Sequence, residues 1–292
     1  MQNLNQIKRR AETLSSLGDI VGAMKTMSQA YASGFERSAK AVDSYLKNVE
    51  LGIRACLESI EIPQAAEPPL LPSPERPRAV VIAIGSDAGL VGRFNKSLAA
   101  HAAAWLGERS IPVESADGII CGRALRAKWP ALRGAFFNMP RTLGRVAQVA
   151  GSIIEKMASG GVFSNGGKAF VFFNRREGGA FQSEGRQILP IDARLFRRIG
   201  RIPWPTRNRP MTAGDPREAL PLLVRQFVFV SIYKALSASL AAEHRTRAIQ
   251  MSRADDNIKE HLDELAREYQ TRRQEEITAE LLDITSGFNA AG

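Results

Sequence analysis

Cysteine and histidine are scarce in this chain. The two cysteines, Cys56 and Cys121, lie far apart with no histidine beside them, and the three histidines, His101, His244 and His261, are scattered. This excludes a disulfide scaffold and a cysteine-based zinc site, and it suits a reducing cytosol. No apolar run approaches the roughly 20 residues that span a bilayer. The opening Met1-Gln2-Asn3-Leu4-Asn5 has neither the apolar core of a signal peptide nor the Arg/Ser-rich start of a transit peptide. Catalytic motifs are missing too. There is no Gly-x-x-x-x-Gly-Lys-Ser/Thr loop, and Gly85, Gly89 and Gly92 lack the Gly-x-Gly-x-x-Gly spacing, so they read as turn and helix-packing glycines. Ser237 and Ser239 have no Gly-x-Ser-x-Gly context. Asp255-Asp256 and Asp263-Glu264 are adjacent, so the members of each pair do not share a helix face and read as exposed charge. His244 and His261, on charged helical stretches, read as solvated. Catalytic, cofactor and metal sites are therefore not expected.

What the chain does have is the make-up of a soluble globular protein, 44% hydrophobic and 24% charged, in 292 residues that can bury a large core. Its net charge is +10. Residues 1–61 hold 8 Lys/Arg and 7 Asp/Glu, and residues 220–292 hold 9 and 11, so the excess sits in the middle. Arg194, Arg197, Arg198, Arg201, Arg207, Arg209 and Arg217 account for much of it. Two readings stay open: an electrostatic footprint for nucleic acid, an anionic membrane or an acidic protein, or a solvated Arg-rich surface. Few aromatics interleave with these arginines, which counts against single-stranded nucleic acid.

Residues 1–61 contain no proline and carry apolar residues at Leu4, Ile7, Leu14, Leu17, Val21, Met24, Met27 and Tyr31, then at Val42, Tyr45, Val49, Ile53, Leu57 and Ile60. Steps of three and four predict one helix, about 90 Å long at 1.5 Å per residue, with bends at Gly18, Gly22 or Gly34. Pro63 and Pro68-Pro69 stop it. Residues 62–78 read as a proline-rich linker. The run Ala79–Ile84 reads as a buried strand. A glycine turn follows it, then a helix to about Leu106, a strand through Ile119-Ile120, a helix over 141–158 and a strand at Ala169–Phe173. One further strand lies within Arg175–Asp192, and 196–217 reads as a second linker. Strands alternating with helices point to an α/β domain over 79–192. From Leu220 to Ile284 the only proline is Pro221, at a first-turn position. A stripe runs through Val224, Phe227, Ser231, Lys234, Ala238 and Ala241. A cleaner seam follows at Met251, Asp255, Ile258, Leu262, Leu265 and Tyr269, in steps 4-3-4-3-4, then slips through Arg273, Ile277 and Leu281. The expected architecture is a helix over 1–61 and a helix over 220–286, paired as a long antiparallel coiled coil, with the α/β domain between them.

The C-terminal stretch Ala-Ala-Glu-His-Arg-Thr-Arg-Ala-Ile-Gln-Met-Ser-Arg-Ala-Asp-Asp-Asn (241–257) resembles a pattern of the F-type ATP synthase gamma subunit, matching it at Glu243, His244, Arg247, Met251, Ala254 and Asn257. The match continues at Tyr269, Arg273, Gln274, Ile277, Thr278, Glu280, Leu281, Ile284 and Gly287. Ser86-Asp87-Ala88-Gly89-Leu90-Val91-Gly92-Arg93-Phe94-Asn95 is similar to the family's turn after its first strand, and Ile7 and Ala23-Met24-Lys25 match near the start. Residues 15–22, Tyr31, Gln270 and Glu275-Glu276 depart from the pattern. The resemblance is to a divergent bacterial gamma subunit and suggests an alternative ATP synthase complex. It implies a long antiparallel coiled coil carrying a central α/β, Rossmann-like domain. It also implies a non-catalytic rotor that couples proton or sodium translocation to ATP synthesis or hydrolysis. The implied partners are the alpha and beta subunits of the catalytic ring, the epsilon subunit and the membrane c-ring, at the cytoplasmic face of the bacterial inner membrane and peripheral to it. Carried over residue by residue, the implied rotor–ring contacts are Met24, Lys25, Arg247, Met251, Arg273, Gln274, Thr278 and Glu280. The alternative is a basic coiled-coil protein that binds nucleic acid, which a steep salt dependence of DNA retention would reveal. A nucleotide-binding enzyme is the weakest reading, because the phosphate-binding signature is missing.

Overall fold

The computed structural model describes residues 4–60, 79–163, 167–191, 199–208 and 214–290; the expected linker 62–78 and part of the second lie outside them. Its elements in chain order are α1 (Leu4–Ser59), β1 (Ala79–Ile84), α2 (Phe94–Gly107), β2 (Asp117–Cys121), α3 (Arg123–Lys128), β3 (Gly134–Phe137), α4 (Leu143–Ser159), β4 (Lys168–Glu177), β5 (Ala180–Leu189) and α5 (Pro216–Ala290). The chain divides into two compact units. One comprises residues to Gln29 and from Arg247 on; the other is Ala30–Thr246.

The second unit is built on a five-stranded sheet in the order β3-β2-β1-β4-β5. β1, β2, β3 and β4 run parallel, and β5 returns antiparallel on β4. The continuous apolar run of β1 is explained by burial on both faces. Val80, Ile82 and Ile84 enter one core, with Phe35, Val49 and Ile53 of α1, Val146 and Ile153 of α4, and Val228, Ile232 and Leu236 of α5. Val81 and Ala83 enter the other, with Leu98, Ala102 and Leu106 of α2 and Leu125 of α3. β4 alternates in the same way, sending Val171 and Phe173 to the first core and Phe170 and Phe172 to the second.

Several expectations need correction. Neither α3 nor β3 was legible: both are short, and β3 begins at Gly134, whose φ of 147° and contact with the Gly118 backbone leave no room for a Cβ. Arg175–Glu177 belong to β4, so the further strand is only Ala180–Leu189. α1 runs unbroken through Gly18, Gly22 and Gly34. No break forms at these positions, because tertiary packing overrides the local cost of glycine, about 1 kcal/mol each. Gly52, also inside α1, sits beneath Leu223, whose Cδ2 would lie 3.3 Å from an added Cβ. α5 starts earlier than Leu220. Asp215 caps it, accepting the Arg217 N–H at 2.8 Å, and Pro216 takes the first helical position, where a missing N–H costs nothing. Pro221 therefore lies inside the helix rather than in its first turn. α5 also contains an 18-residue window of mean hydropathy 1.4, long and apolar enough to cross a membrane by composition. Here Phe227, Val228, Ile232, Leu236 and Leu240 spend that apolarity on the core against the sheet.

Phe172 is fully buried, with the Trp105 ring 5.4 Å away edge-on. Phe172→Ala should destabilise this unit by about 3–5 kcal/mol, read as a lowered urea midpoint.

Candidate functional interface

The first unit is a pair of helices. On α1 its least exposed positions are Leu4, Ile7, Ala11, Leu14, Gly18, Val21, Lys25 and Ser28, with Gly22 and Met24 beside them. On α5 they include Met251, Asp255, Ile258, Leu262, Leu265, Tyr269 and Arg272. Both sets step by three and four, the spacing of a coiled-coil seam. The direction follows from two contacts: Gly18 faces Ile258, whose Cγ2 would lie 3.4 Å from an added Cβ, and Lys25 pairs with Asp255 at 3.7 Å. Rising numbers on α1 meet falling numbers on α5, so the helices are antiparallel.

The α5 seam is the expected one as far as Tyr269. The expected α1 stripe meets the seam at Leu4, Ile7, Leu14 and Val21 but departs from it elsewhere. Leu17 (47% exposed) and Met27 (56%) lie on the outer face, together with Ile20 (56%), while small and polar residues, Ala11, Gly18, Lys25 and Ser28, take the intervening seam positions. A small residue such as Gly18 gives a large side chain such as Ile258 a seat, so apolarity alone misplaced part of the buried face. The expected slip through Arg273, Ile277 and Leu281 does not form either. Stepping from Gly18–Ile258 places Arg272 opposite Leu4, where α1 begins. Beyond it Ile277, Leu281 (59%), Leu282 (64%) and Ile284 are all exposed.

The expected contact residues divide by position. Lys25 and Met251 belong to the seam, and Met24 flanks it. Arg247 and Met251 are buried within the chain. Arg273, Gln274, Thr278 and Glu280 are exposed on α5, with the Thr278 hydroxyl donating to the Gln274 carbonyl at 2.8 Å. The outer apolar residues Leu17, Ile20 and Met27 and the tail residues Leu282 and Ile284 were not among the expected contacts. Their spacing is that of any amphipathic helix, and only solvent exposure distinguishes them.

Two polar features depart from their expected role as solvated charge. Asp255 is only partly exposed and lies between Lys25 and Lys259, whose Nζ donates to it at 3.0 Å. The Lys259 hydrogen bond, then the charges of Lys259 and Lys25, hold the Asp255 carboxyl below the ordinary carboxylate range, and the same bond raises Lys259. His244, in the other unit, is half-buried against two rings, stacked on Phe35 at 5.7 Å and tilted towards Tyr31 at 5.2 Å. His261 is exposed and faces Glu264. Burial, then the nearby Asp87, pushes the Cys121 thiol up to about 12, so it is an inert core residue rather than a nucleophile. Among the described residues no group of three or more His, Cys, Asp or Glu could hold a metal ion.

A family model described as ATP synthase matches residues 3–291. The chain belongs to the ATP synthase gamma-chain family. The gamma chain of Geotalea uraniireducens (strain Rf4) is 25% identical over 290 residues, covering 98% of each chain. That of Bdellovibrio bacteriovorus (strain HD100) is 24% identical over 305 residues, covering 99% of each. Among solved structures, a chain from the Euglena gracilis mitochondrial ATP synthase rotor in rotational state 1 superposes with a TM-score of 0.60 at 16% identity, covering 94% of this chain and 98% of that one. It shares the fold of long terminal helices around a mixed five-stranded sheet.

Two outcomes test the helix pair. Cysteines at Leu14 and Leu262, opposite each other in the seam register, should form a disulfide on oxidation, and Leu17→Cys with Leu262→Cys should not. The Asp255 pKa is lowered on folding, so its contribution to stability is present above the ordinary carboxylate range and is lost as pH falls through the lowered value. The protection factors of seam amides, which are normalised to the intrinsic exchange rate at each pH, should therefore fall at acid pH in the natural chain, and Asp255→Asn should flatten that dependence.

Proposed function

We infer that this gamma-family chain works as the central-stalk rotor of an F-type ATP synthase, coupling ion translocation through a membrane sector to ATP synthesis or hydrolysis in a catalytic ring. Alongside the family match, the observation that carries this reading is α5 beyond Arg272, which has exposed apolar side chains on more than one face and no second helix opposite it among the described residues. Ile277, Leu281 and Ile284 share a face at steps of four and three, and Leu282 lies off it. A lone helix of this kind is marginal in water. A ring of subunits enclosing it on all sides would cover these residues, and the outer stripe of Leu17, Ile20 and Met27 offers a second apolar face to the same surroundings.

The chemistry belongs to the ring and the shaft supplies shape. As an asymmetric helix turns, each surrounding subunit meets a different face in sequence, and differential contact free energy is what biases a subunit between conformations. Such contacts must form and release. Exposed polar pairs, worth about 0–1 kcal/mol each, suit that better than a buried lock, and Arg273, Gln274, Thr278 and Glu280 are placed to provide them. Met24 and Lys25 join these contacts from the edge of the α1 seam. Arg247 and Met251, buried in the chain, shape the shaft from within. The alpha and beta subunits form the ring in this reading, the epsilon subunit and the c-ring complete the rotor, and the complex holds the chain at the cytoplasmic face of a bacterial inner membrane. The middle basic segment then belongs to the stalk rather than to a nucleic-acid interface.

Replacing Arg273 and Gln274 together by alanine should leave the helical circular dichroism signal of the chain unchanged and should weaken assembly or ion-coupled ATP turnover of the reconstituted complex. Unchanged assembly, hydrolysis and pumping would show that these residues are only a solvated helix face.

A further inference from the structure

Three stretches of the second unit gather where α5 begins. Residues 199–208 lie against α1, whose Arg54 donates to the Ile202 carbonyl and stacks over Trp204, 4.5 Å from the ring centre. α5 meets α1 within the same turn, where Leu223 packs on Gly52. Arg225 of α5 lies 5.9 Å from the centre of the Phe163 ring, just past the end of α4. This end is far from the β1 turn. About 20 Å of helix separates Arg225 from Ser239, which donates its hydroxyl to the Ile84 carbonyl at the end of β1 at 3.0 Å.

The surface of this end is basic and apolar at once. On α5, Arg217, Pro221, Leu222 and Arg225 are exposed along one side of the helix, together with the acidic Glu218. Leu222 is 69% exposed, the highest value among the large apolar residues. On the neighbouring segment, Arg201, Pro203, Pro205 and Arg207 are exposed and Trp204 is half-buried. Arg201, Arg207, Arg217 and Arg225 form no ion pair among the described residues. Asp215 is spent in capping α5. Four unpaired guanidinium groups thus surround a protruding leucine and a tryptophan.

This chemistry suits a fluid partner better than a folded one. Pro203, Pro205 and Pro221 have no N–H to donate, so the face offers no strand edge for a partner to extend. Leu222 stands out from the surface instead of lining a groove. An anionic headgroup layer supplies phosphates to the arginines, and its boundary with the acyl chains accepts tryptophan and leucine.

We propose that Arg201, Trp204, Arg207, Arg217, Leu222 and Arg225 form a face that rests on the headgroup layer of an anionic bilayer. The guanidinium groups take lipid phosphates, and Trp204 and Leu222 sit at the acyl boundary. The proposal rests on the rotor reading for what brings the chain to a membrane. A fluid layer imposes no fixed register, so a shaft held by it remains free to turn.

The test uses the full-length chain in about 0.1 M salt, where charges more than about 10 Å apart are screened. Vesicles of phosphatidylglycerol and phosphatidylcholine should bind it in sedimentation, and phosphatidylcholine vesicles should not. Arg201→Gln, Arg207→Gln, Arg217→Gln and Arg225→Gln together should lower partition roughly hundredfold, at about fivefold for each basic group near an anionic surface. The same charge removed near the β1 turn, as Arg93→Gln, Lys96→Gln, Arg123→Gln and Arg141→Gln, should lower it by about threefold at most, because those groups lie beyond the screening length. Lipids brominated near the headgroup should quench tryptophan fluorescence, and Trp204→Phe should abolish that quenching. Equal loss in the two glutamine sets, binding to phosphatidylcholine alone, or absence of Trp204 quenching would each overturn the lipid contact. So would a lipid-free c-ring in detergent that protects the first turns of α5 from amide exchange better than the anionic vesicles do, since the face would then belong to a protein. Failure of the chain to assemble with a catalytic ring would count against the rotor reading alone, because vesicle binding and quenching by the isolated chain decide the lipid contact separately.

Discussion

A helix of 56 residues and another of 75 cannot be maintained by backbone hydrogen bonds alone, because most helical stability in proteins comes from burying one face against a partner. Nearly everything else in this molecule is a consequence of where those faces find cover. In the first unit they cover each other, in a seam whose register is visible in Gly18 against Ile258 and Lys25 against Asp255. In the second unit the sheet and α4 share the task, and α5 there becomes apolar over much of its circumference, from Phe227 and Val228 to Leu240 and Ala241. Where α5 runs past its partner, beyond Arg272, apolar side chains stay in water, and that uncovered length is the clearest structural sign of a larger assembly.

The seam shows how a stiff pair is made without a continuous apolar stripe. Gly18, Ala11 and Ser28 sit on the α1 side, where Gly18 leaves room for the Ile258 side chain, and the larger Leu17, Ile20 and Met27 are left outside. A charged pair at Lys25 and Asp255 interrupts the seam. Partly exposed pairs of this kind add little stability, but a polar group at a seam position disfavours other registers. A shaft needs that property more than it needs extra stability, since sliding of one helix along the other would change the face presented to its surroundings.

The sheet domain carries a related lesson. Its turn after β1 has the position of a phosphate-binding loop without the glycine spacing, its Ser86 and Arg123 N–H donors are satisfied by Asn95 and Asp87, and Ala242 of α5 packs against it. A fold known for ligand sites here holds a helix, so function has to be argued from the occupants of a site rather than from the architecture around it.

Much of this was legible in the residues. Proline-free ends with steps of three and four specify helices, a β-branched run such as Ala79–Ile84 specifies a buried strand, and the heptad steps from Met251 to Tyr269 specify a seam, because each pattern matches the repeat of its backbone. The motif from Glu243 to Gly287 pointed to the family for the same reason that the chemistry was missing: the chain carries contact surfaces rather than reacting groups. What only the tertiary structure decided was which side of each helix is covered. Leu17 and Met27 look as buried as Leu14 in the sequence, and Gly18 and Ser28 look like weak points. Burial depends on the partner's shape, and a glycine opposite Ile258 is better covered than a leucine with nothing opposite it. The closing of the β1 turn onto Ser239 and Ala242 was hidden for the same reason, since contacts between residues some 150 positions apart leave no periodicity along the chain, and β3, only 4 residues long, is too short to show one.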